Sequence, residues 1–153
     1  MYRQSATRGQ RYIPKQKAHE ESLQLRVATY LKRNYPQVIF LSDAAGLFMT
    51  VPQAVKWKRM NSEHKRADIM ILARSADGEY AGMALELKAD HVSIYNKIGA
   101  NKGAMTANPH IRAQAECHKL LREQGYYADF AVGYDDATSQ IDSYFGAIQA
   151  ELF

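Results

Sequence analysis

The chain has 153 residues, of which 46% are hydrophobic and 24% are charged, as is typical of one globular domain with a single core. It contains no run of about 18 apolar residues that could span a membrane, and its N-terminus lacks the apolar segment of a secretory signal. Because Cys117 is the only cysteine, no internal disulfide can form, and we expect a reducing, cytoplasmic setting.

The net charge of +4 is unevenly distributed, since the first 19 residues contain five basic residues and no acidic one. We predict a basic flexible arm over residues 1–18, in which Pro14 interrupts any helix, and a single domain over residues 19–153. A basic arm attracts phosphates through counterion release. A solvated tail that only aids solubility explains the same charge equally well.

Apolar spacing predicts helices and strands in the order α-β-β-β-α-β-α. In the first helix, Leu23, Val27 and Leu31 recur at intervals of one turn and form one apolar face. This order predicts an α/β fold with a mixed sheet flanked by helices. The predicted elements are a helix over 19–34, a strand over 38–41, a long loop over 43–66, two hairpin strands over 68–73 and 80–89, a loop over 95–109, a helix over 110–124, a strand over 126–132 and a helix over 136–150.

The two later helices carry finer predictions. In the helix over 110–124 we expect four residues to face inward, and Asp135 or Asp136 is expected to cap the last helix. The four are Ala113, Cys117, Leu120 and Leu121.

The chemistry of the chain centres on two carboxylates and a lysine. Side chains at positions i and i+2 of a strand share a face, so Glu86 and Lys88 point the same way within an otherwise apolar run. Asp68 begins the neighbouring hairpin strand, which can bring its carboxylate beside Glu86. A surface salt bridge between Glu86 and Lys88 is the simpler interpretation of this pair on its own.

Converging carboxylates repel each other unless a cation lies between them. Oxygen ligands without cysteine or histidine suit Mg²⁺, for which Mn²⁺ can substitute. Such a metal polarises a phosphodiester and activates water. Lys88 would position or deprotonate that water, or neutralise charge on the phosphate. The sequence therefore predicts metal-dependent phosphodiester hydrolysis.

Basic residues near these groups are candidates for binding nucleic acid, although a solvated loop is the simpler interpretation of each one taken singly. Trp57 lies between two lysines, where it could stack on an exposed base or anchor a core or a dimer. The basic candidates are Lys56, Lys58, Arg59, Lys65, Arg66, Lys97 and Lys102.

An ordered set of residues resembles the PD-(D/E)xK nuclease superfamily, and specifically its VRR-Nuc (virus-type replication-repair nuclease) family. The set consists of Glu20, Asp68, the Glu86-x-Lys88 pair and Gln114, and the resemblance extends over about residues 19–145. Ala67 departs from the proline that the family often has before the aspartate. The resemblance implies a restriction-endonuclease-like αβββαβ core.

The resemblance also implies a role for each residue. Asp68 and Glu86 would bind the metal with the backbone carbonyl of Leu87, and Lys88 would be the catalytic lysine. Glu20 would add a carboxylate from the first helix. Glu21 competes for that role, but helical spacing favours Glu20, which Gln24 would support one turn on.

For Gln114, the resemblance implies a contact to the attacking water or to Lys88, while an ordinary helix-surface glutamine is the alternative. For the whole protein it implies a homodimeric Mg²⁺-dependent endonuclease in a bacterial or phage-infected cell, acting on branched or junction DNA such as a Holliday junction. The alternatives are a catalytically silent nucleic-acid- or protein-binding module on the same fold, and a restriction-like or RNA-directed nuclease.

Overall fold

The computed structural model describes residues 15–44, 47 and 49–147, with side chains from Ser22 onward. The predicted arm therefore falls largely outside the described residues, as does the side chain of Glu20. Within the described part of the chain, no helix is long and apolar enough to cross a membrane.

The four strands form one mixed sheet in the order β1-β2-β3-β4. The first three strands pair antiparallel and β3 pairs parallel with β4. The predicted α/β fold, with a mixed sheet flanked by helices, is confirmed. The elements are α1 (Lys15–Asn34), β1 (Phe40–Ser42), α2 (Val51–Arg59), β2 (Ile69–Ile71), β3 (Met83–Lys88), α3 (Pro109–Glu123), β4 (Tyr127–Val132) and α4 (Gly133–Tyr144).

One face of the sheet packs against α1 and α4. The predicted apolar stripe of α1 is buried there, and Leu85 and Leu87 of β3 point into the same core. Two tyrosine hydroxyls link the C-terminal end of α1 to α4. Tyr30 of α1 and Tyr35, which follows it, both donate to the carboxylate of Asp142 on α4, at 2.7 and 2.6 Å. This face, the closed face, carries the largest apolar cluster of the described residues.

The opposite face lies under α3 and holds two smaller apolar clusters, one built around alanines and one around Ile94, Ile111 and Phe130. Ala84 of β3 and Ala128 of β4 are buried there, with Met70 and Leu121 packed against them. Because alanines are small, α3 can lie close to the sheet. Glu86, the next residue of β3 on this face, is therefore within reach of α3.

The predicted loop over 43–66 contains a helix, so that prediction is wrong over Val51–Arg59. Pro52 lies in the first turn of α2, where a missing N–H costs nothing. The side chain of Gln53 accepts from the backbone N–H of Thr50 at 2.9 Å and closes that end. The helix buries no residue, which is why apolar periodicity did not indicate it.

The predicted faces and ends of the later helices also need correction. Ala113 and Leu120 are exposed, and the buried residues of α3 are Ile111 and His118. The predicted inward face is therefore wrong at Ala113 and Leu120, whereas Cys117 and Leu121 are partly buried and Leu121 packs against the sheet. Helix α4 begins at Gly133, and Asp136 contributes from inside it by accepting from the N–H of Val132 at 2.8 Å.

Candidate active site

The pairing of β2 with β3 brings the two predicted carboxylates together. Ile69 pairs with Leu85 in an antiparallel register, so the preceding Asp68 lies across from Glu86. The carboxylate of Asp68 accepts from the N–H of Leu87 at 2.8 Å. The predicted hairpin thus places Asp68, Glu86 and the backbone of Leu87 in one group.

Glu86 is buried, with only 4% of its surface exposed, and it contacts two further predicted residues. Lys88 forms an ion pair with Glu86 Oε1 at 2.9 Å, and its side chain is only 11% exposed. The side-chain amide of Gln114 donates to the same oxygen. Four predicted site residues therefore meet on the α3 face, and Gln114 is not a surface glutamine.

The electrostatics of this group disfavour the charged form of Glu86. The pKa of Glu86 is raised to about 8, mainly by burial and next by the nearby charge of Asp68, and Lys88 only partly opposes these two effects. An acid so perturbed by burial and by a like charge is typical of a functional site. A cation between the two carboxylates would favour their charged forms.

The backbone of Asp68 is bound by Gln24, for which the sequence predicted a different contact. The amide of Gln24 donates to the backbone carbonyls of Asp68 and Asp43, at 2.8 and 3.1 Å. The N–H of Asp43 also donates to the carbonyl of Asp68, at 2.9 Å. Gln24 was predicted to support Glu20. Its contacts tie α1 to the residue that follows β1 and to the residue that precedes β2. No sequence pattern indicates which carbonyls an amide will meet.

Arg66 makes two contacts within the protein. Its Nε forms an ion pair with Asp43 at 2.9 Å, and its guanidinium lies 5.3 Å from the centre of the Trp57 ring. A stacked, paired arginine of this kind holds a defined position. Arg66 thereby joins α2 to the loop that carries Asp68, a contact that its assignment as a DNA-binding residue did not foresee.

The residues present fit a divalent metal such as Mg²⁺. Two carboxylates converge, and the Oε1 atom of Gln114 is buried with no hydrogen-bond partner among the described residues, so an acceptor is left over beside them. No third aspartate, glutamate, histidine or cysteine completes a metal-binding group in the described part of the chain. Glu20, the predicted third carboxylate, lies on α1 with its side chain outside that part.

The remaining basic candidates lie on the surface. Three exposed residues, Lys56, Lys58 and Arg59, belong to α2, and Lys65 is exposed in the segment before Asp68. Lys97 and Lys102 are exposed in the 95–109 loop. Lys97 lines a cavity whose other charged residues are acidic, which makes it the weakest of these candidates for a phosphate contact.

No protein-family model and no curated protein matches the chain. A solved structure described as "VRR_NUC domain protein" is 28% identical to it and superposes with a TM-score of 0.55. The match covers 84% of this chain and 88% of that one. The chain is therefore similar in sequence and in fold to a VRR-Nuc domain protein, as the residues Asp68, Glu86 and Lys88 suggested.

Proposed function

We propose that the protein is a metal-dependent nuclease. The observation that carries the proposal is the meeting of Asp68 and Glu86 across two paired strands, with Lys88 held at 2.9 Å from Glu86 and nearly buried. The similarity to a VRR-Nuc domain protein supports the same class of chemistry. Hydrolysis of a phosphodiester needs positive charge at the phosphate and a positioned water, and this group of residues can supply both.

Asp68, Glu86 and the carbonyl of Leu87 would hold Mg²⁺ or Mn²⁺, with Glu20 as a further ligand. A bound divalent metal would polarise the phosphodiester and lower the pKa of a water molecule. Lys88 would leave its ion pair with Glu86 to contact the water or the phosphate. Gln114, which contacts Glu86, would orient the carboxylate and accept a hydrogen bond from the water through its side-chain oxygen.

We further propose that the substrate is branched or junction DNA, in replication, recombination or repair of a phage type, and that the enzyme works as a homodimer. Exposed basic residues on α2 and before Asp68 would follow the phosphate backbone, which positions a protein without reading sequence. A dimer would place two such sites for paired cuts on a symmetric junction.

The test is cleavage of labelled linear duplex, single-stranded, flapped and four-way-junction DNA, each with Mg²⁺, Mn²⁺ or EDTA. Lys88→Ala is compared with Lys32→Ala, which removes an exposed lysine at the end of α1. We expect metal-dependent cutting that is lost only in Lys88→Ala, with the strongest activity on branched DNA.

Other results would lead to different conclusions. A folded wild-type protein that binds these DNAs but cuts none of them in either metal would be a binding module. Cutting confined to RNA versions of the panel would make it an RNA-directed nuclease. Cutting that survives Lys88→Ala would exclude the proposed role of the lysine.

A further inference from the structure

A cavity of about 350 Å³ lies beside the carboxylates, between α2, β2 and α3. Ala67, which directly precedes Asp68, forms part of its wall. Cys117 also lines it, one helical turn beyond Gln114, and is near enough to Glu86 for that carboxylate to contribute to raising its pKa after the larger effect of burial. The cavity thus borders the candidate active site on the same face of the sheet.

The walls of the cavity suit a flat, largely apolar group. Met70, Leu121 and the ring of Trp57 supply apolar surface, and the guanidinium of Arg66 lies against that ring. Indole rings and arginine planes are the side-chain surfaces on which nucleobases stack. An occupant with a planar ring therefore meets complementary surfaces here.

Trp57, which lines the cavity, also carries a hydrogen-bond donor without a partner in the described part of the chain. The indole N–H of Trp57 is shielded from solvent and has no hydrogen-bond partner among the residues with described side chains. A shielded donor without a partner costs free energy that an acceptor would recover. The ring nitrogens and carbonyls of a nucleobase are such acceptors.

The charge around the cavity favours a ligand attached to phosphates. His64 and Lys65 line it and are exposed. The acidic residue in its wall, Asp43, is already paired with Arg66. The exposed basic residues of α2 lie on the element that carries Trp57. A polyanionic chain can therefore approach this opening without meeting an unpaired carboxylate of the wall.

We propose that this cavity, the Trp57 pocket, binds one unpaired base of the DNA substrate, next to the phosphate that the carboxylates act on. The adjacency to a cut phosphate rests on the proposed nuclease function, whereas binding of the base does not. A base must leave its stack to enter such a pocket, and this costs least where it is already unpaired. The pocket therefore selects DNA with an unpaired nucleotide near the cut over continuous duplex.

Trp57 is the only tryptophan of the chain, so its fluorescence reports on this pocket alone. The probe is a short oligothymidylate, compared with an abasic deoxyribose-phosphate chain of the same length, both in EDTA so that no cutting occurs. We expect the oligothymidylate to quench the fluorescence. The abasic chain should leave it unchanged and bind about tenfold more weakly, the loss of one base stack.

Two variants distinguish an effect on the Trp57 pocket from an effect elsewhere in the protein. Cys117→Phe places a ring in the cavity and should abolish the quenching. Ala113→Phe puts the same ring on the exposed side of α3, one turn earlier, and should not. If Cys117→Phe fails to fold, Leu121→Phe narrows the same cavity from the next turn. In the cleavage assay, Cys117→Phe should lose the preference for branched over linear DNA.

The results distinguish this proposal from the nuclease proposal. Metal-dependent cleavage without base-dependent quenching overturns the pocket and leaves the nuclease intact. Quenching without any cleavage supports the pocket and overturns the nuclease. Equal quenching by the abasic chain, or a fluorescence change that follows protein concentration alone and so reveals a second copy in the cavity, also overturns the pocket.

Discussion

The two faces of the central sheet can be compared along a single strand. In β3, Leu85 and Leu87 point into the core under α1 and α4, while Glu86 and Lys88 point toward α3. The first face is filled by large aliphatic side chains and fastened by tyrosine hydroxyls. The second combines a cluster of alanines, a small apolar cluster around Phe130, an ion pair and a cavity. A strand that alternates between two environments can contribute stability on one face and chemistry on the other.

This difference also explains why a buried acid is tolerated. Burial of Glu86 disfavours its charge, and its pKa is raised accordingly. The closed face supplies apolar burial that offsets such a cost. If the comparison is right, substitutions on the α3 face should affect activity more than stability, and substitutions on the closed face should do the reverse.

The largest expected effect is on activity, in Glu86→Gln. The neutral side chain should lower metal-dependent cleavage about a thousandfold, since a metal ligand is lost. The free energy of unfolding in EDTA at pH 8 should stay equal or rise. Because the pKa of Glu86 is raised in the folded state, the protein loses stability as the pH increases from the unfolded pKa of this group toward about 8. Glutamine cannot ionise, so the variant does not lose this stability. Urea denaturation beside the cleavage assay checks both, and a large loss of stability would contradict the division between the faces.

The next effect is on stability, in Leu85→Ala on the closed face. Leu85 is fully buried, so the cavity left by truncation should lower the free energy of unfolding by about 3 kcal/mol. Leu25→Ala on α1 is the matched control, because 68% of Leu25 is exposed, and it should change stability little. Cleavage per folded molecule of Leu85→Ala should stay near the wild-type rate. A selective loss of that rate would show that the closed face also shapes the site.

The buried side chain of His118 should make the stability of the protein depend on pH. His118 is buried on the α3 side against Phe130, and its pKa falls to about 4, first through burial and then through the nearby charges of Arg122 and Lys88, with Asp129 opposing. The unfolded chain takes up this proton near pH 6.5, so stability should be full above that value and should fall by about 2 kcal/mol toward pH 4.

Urea denaturation between pH 4 and 7 measures this dependence. His118→Phe should flatten it, while His110→Phe, at an exposed position of the same helix, should keep it. An unchanged slope in His118→Phe would assign the pH dependence to other groups.

The smallest expected effect is in Gln24→Ala. Loss of the bonds to the carbonyls of Asp43 and Asp68 should raise the Mg²⁺ concentration for half-maximal cleavage about tenfold, as for other residues that position metal ligands. Thr29→Ala removes a hydroxyl that bonds only within α1 and should not change it. If Gln24→Ala lowers the melting temperature but leaves the metal requirement unchanged, Gln24 is structural and does not position Asp68.

Most of the strand and helix order was predictable because apolar spacing records burial. The stripe of Leu23, Val27 and Leu31 indicated α1 correctly. Helix α2 was missed for the same reason, since it buries no residue and so has no stripe to detect. In α3, buried His118 and exposed Leu120 reverse the usual preferences of these residue types, and the predicted inward face was wrong at Ala113 and Leu120.

The sequence by itself determined that Glu86 and Lys88 share a face, because the two-residue period of a strand is local geometry. It also indicated Asp68 as the second carboxylate and the α/β class of the fold. Only the tertiary structure decided that Asp68 lies across from Glu86, that Gln24 and Arg66 bind groups around Asp68, and that a cavity opens beside Trp57. These contacts join residues far apart in the chain, and strand register and helix packing, which set them, are not encoded in the spacing of any one segment.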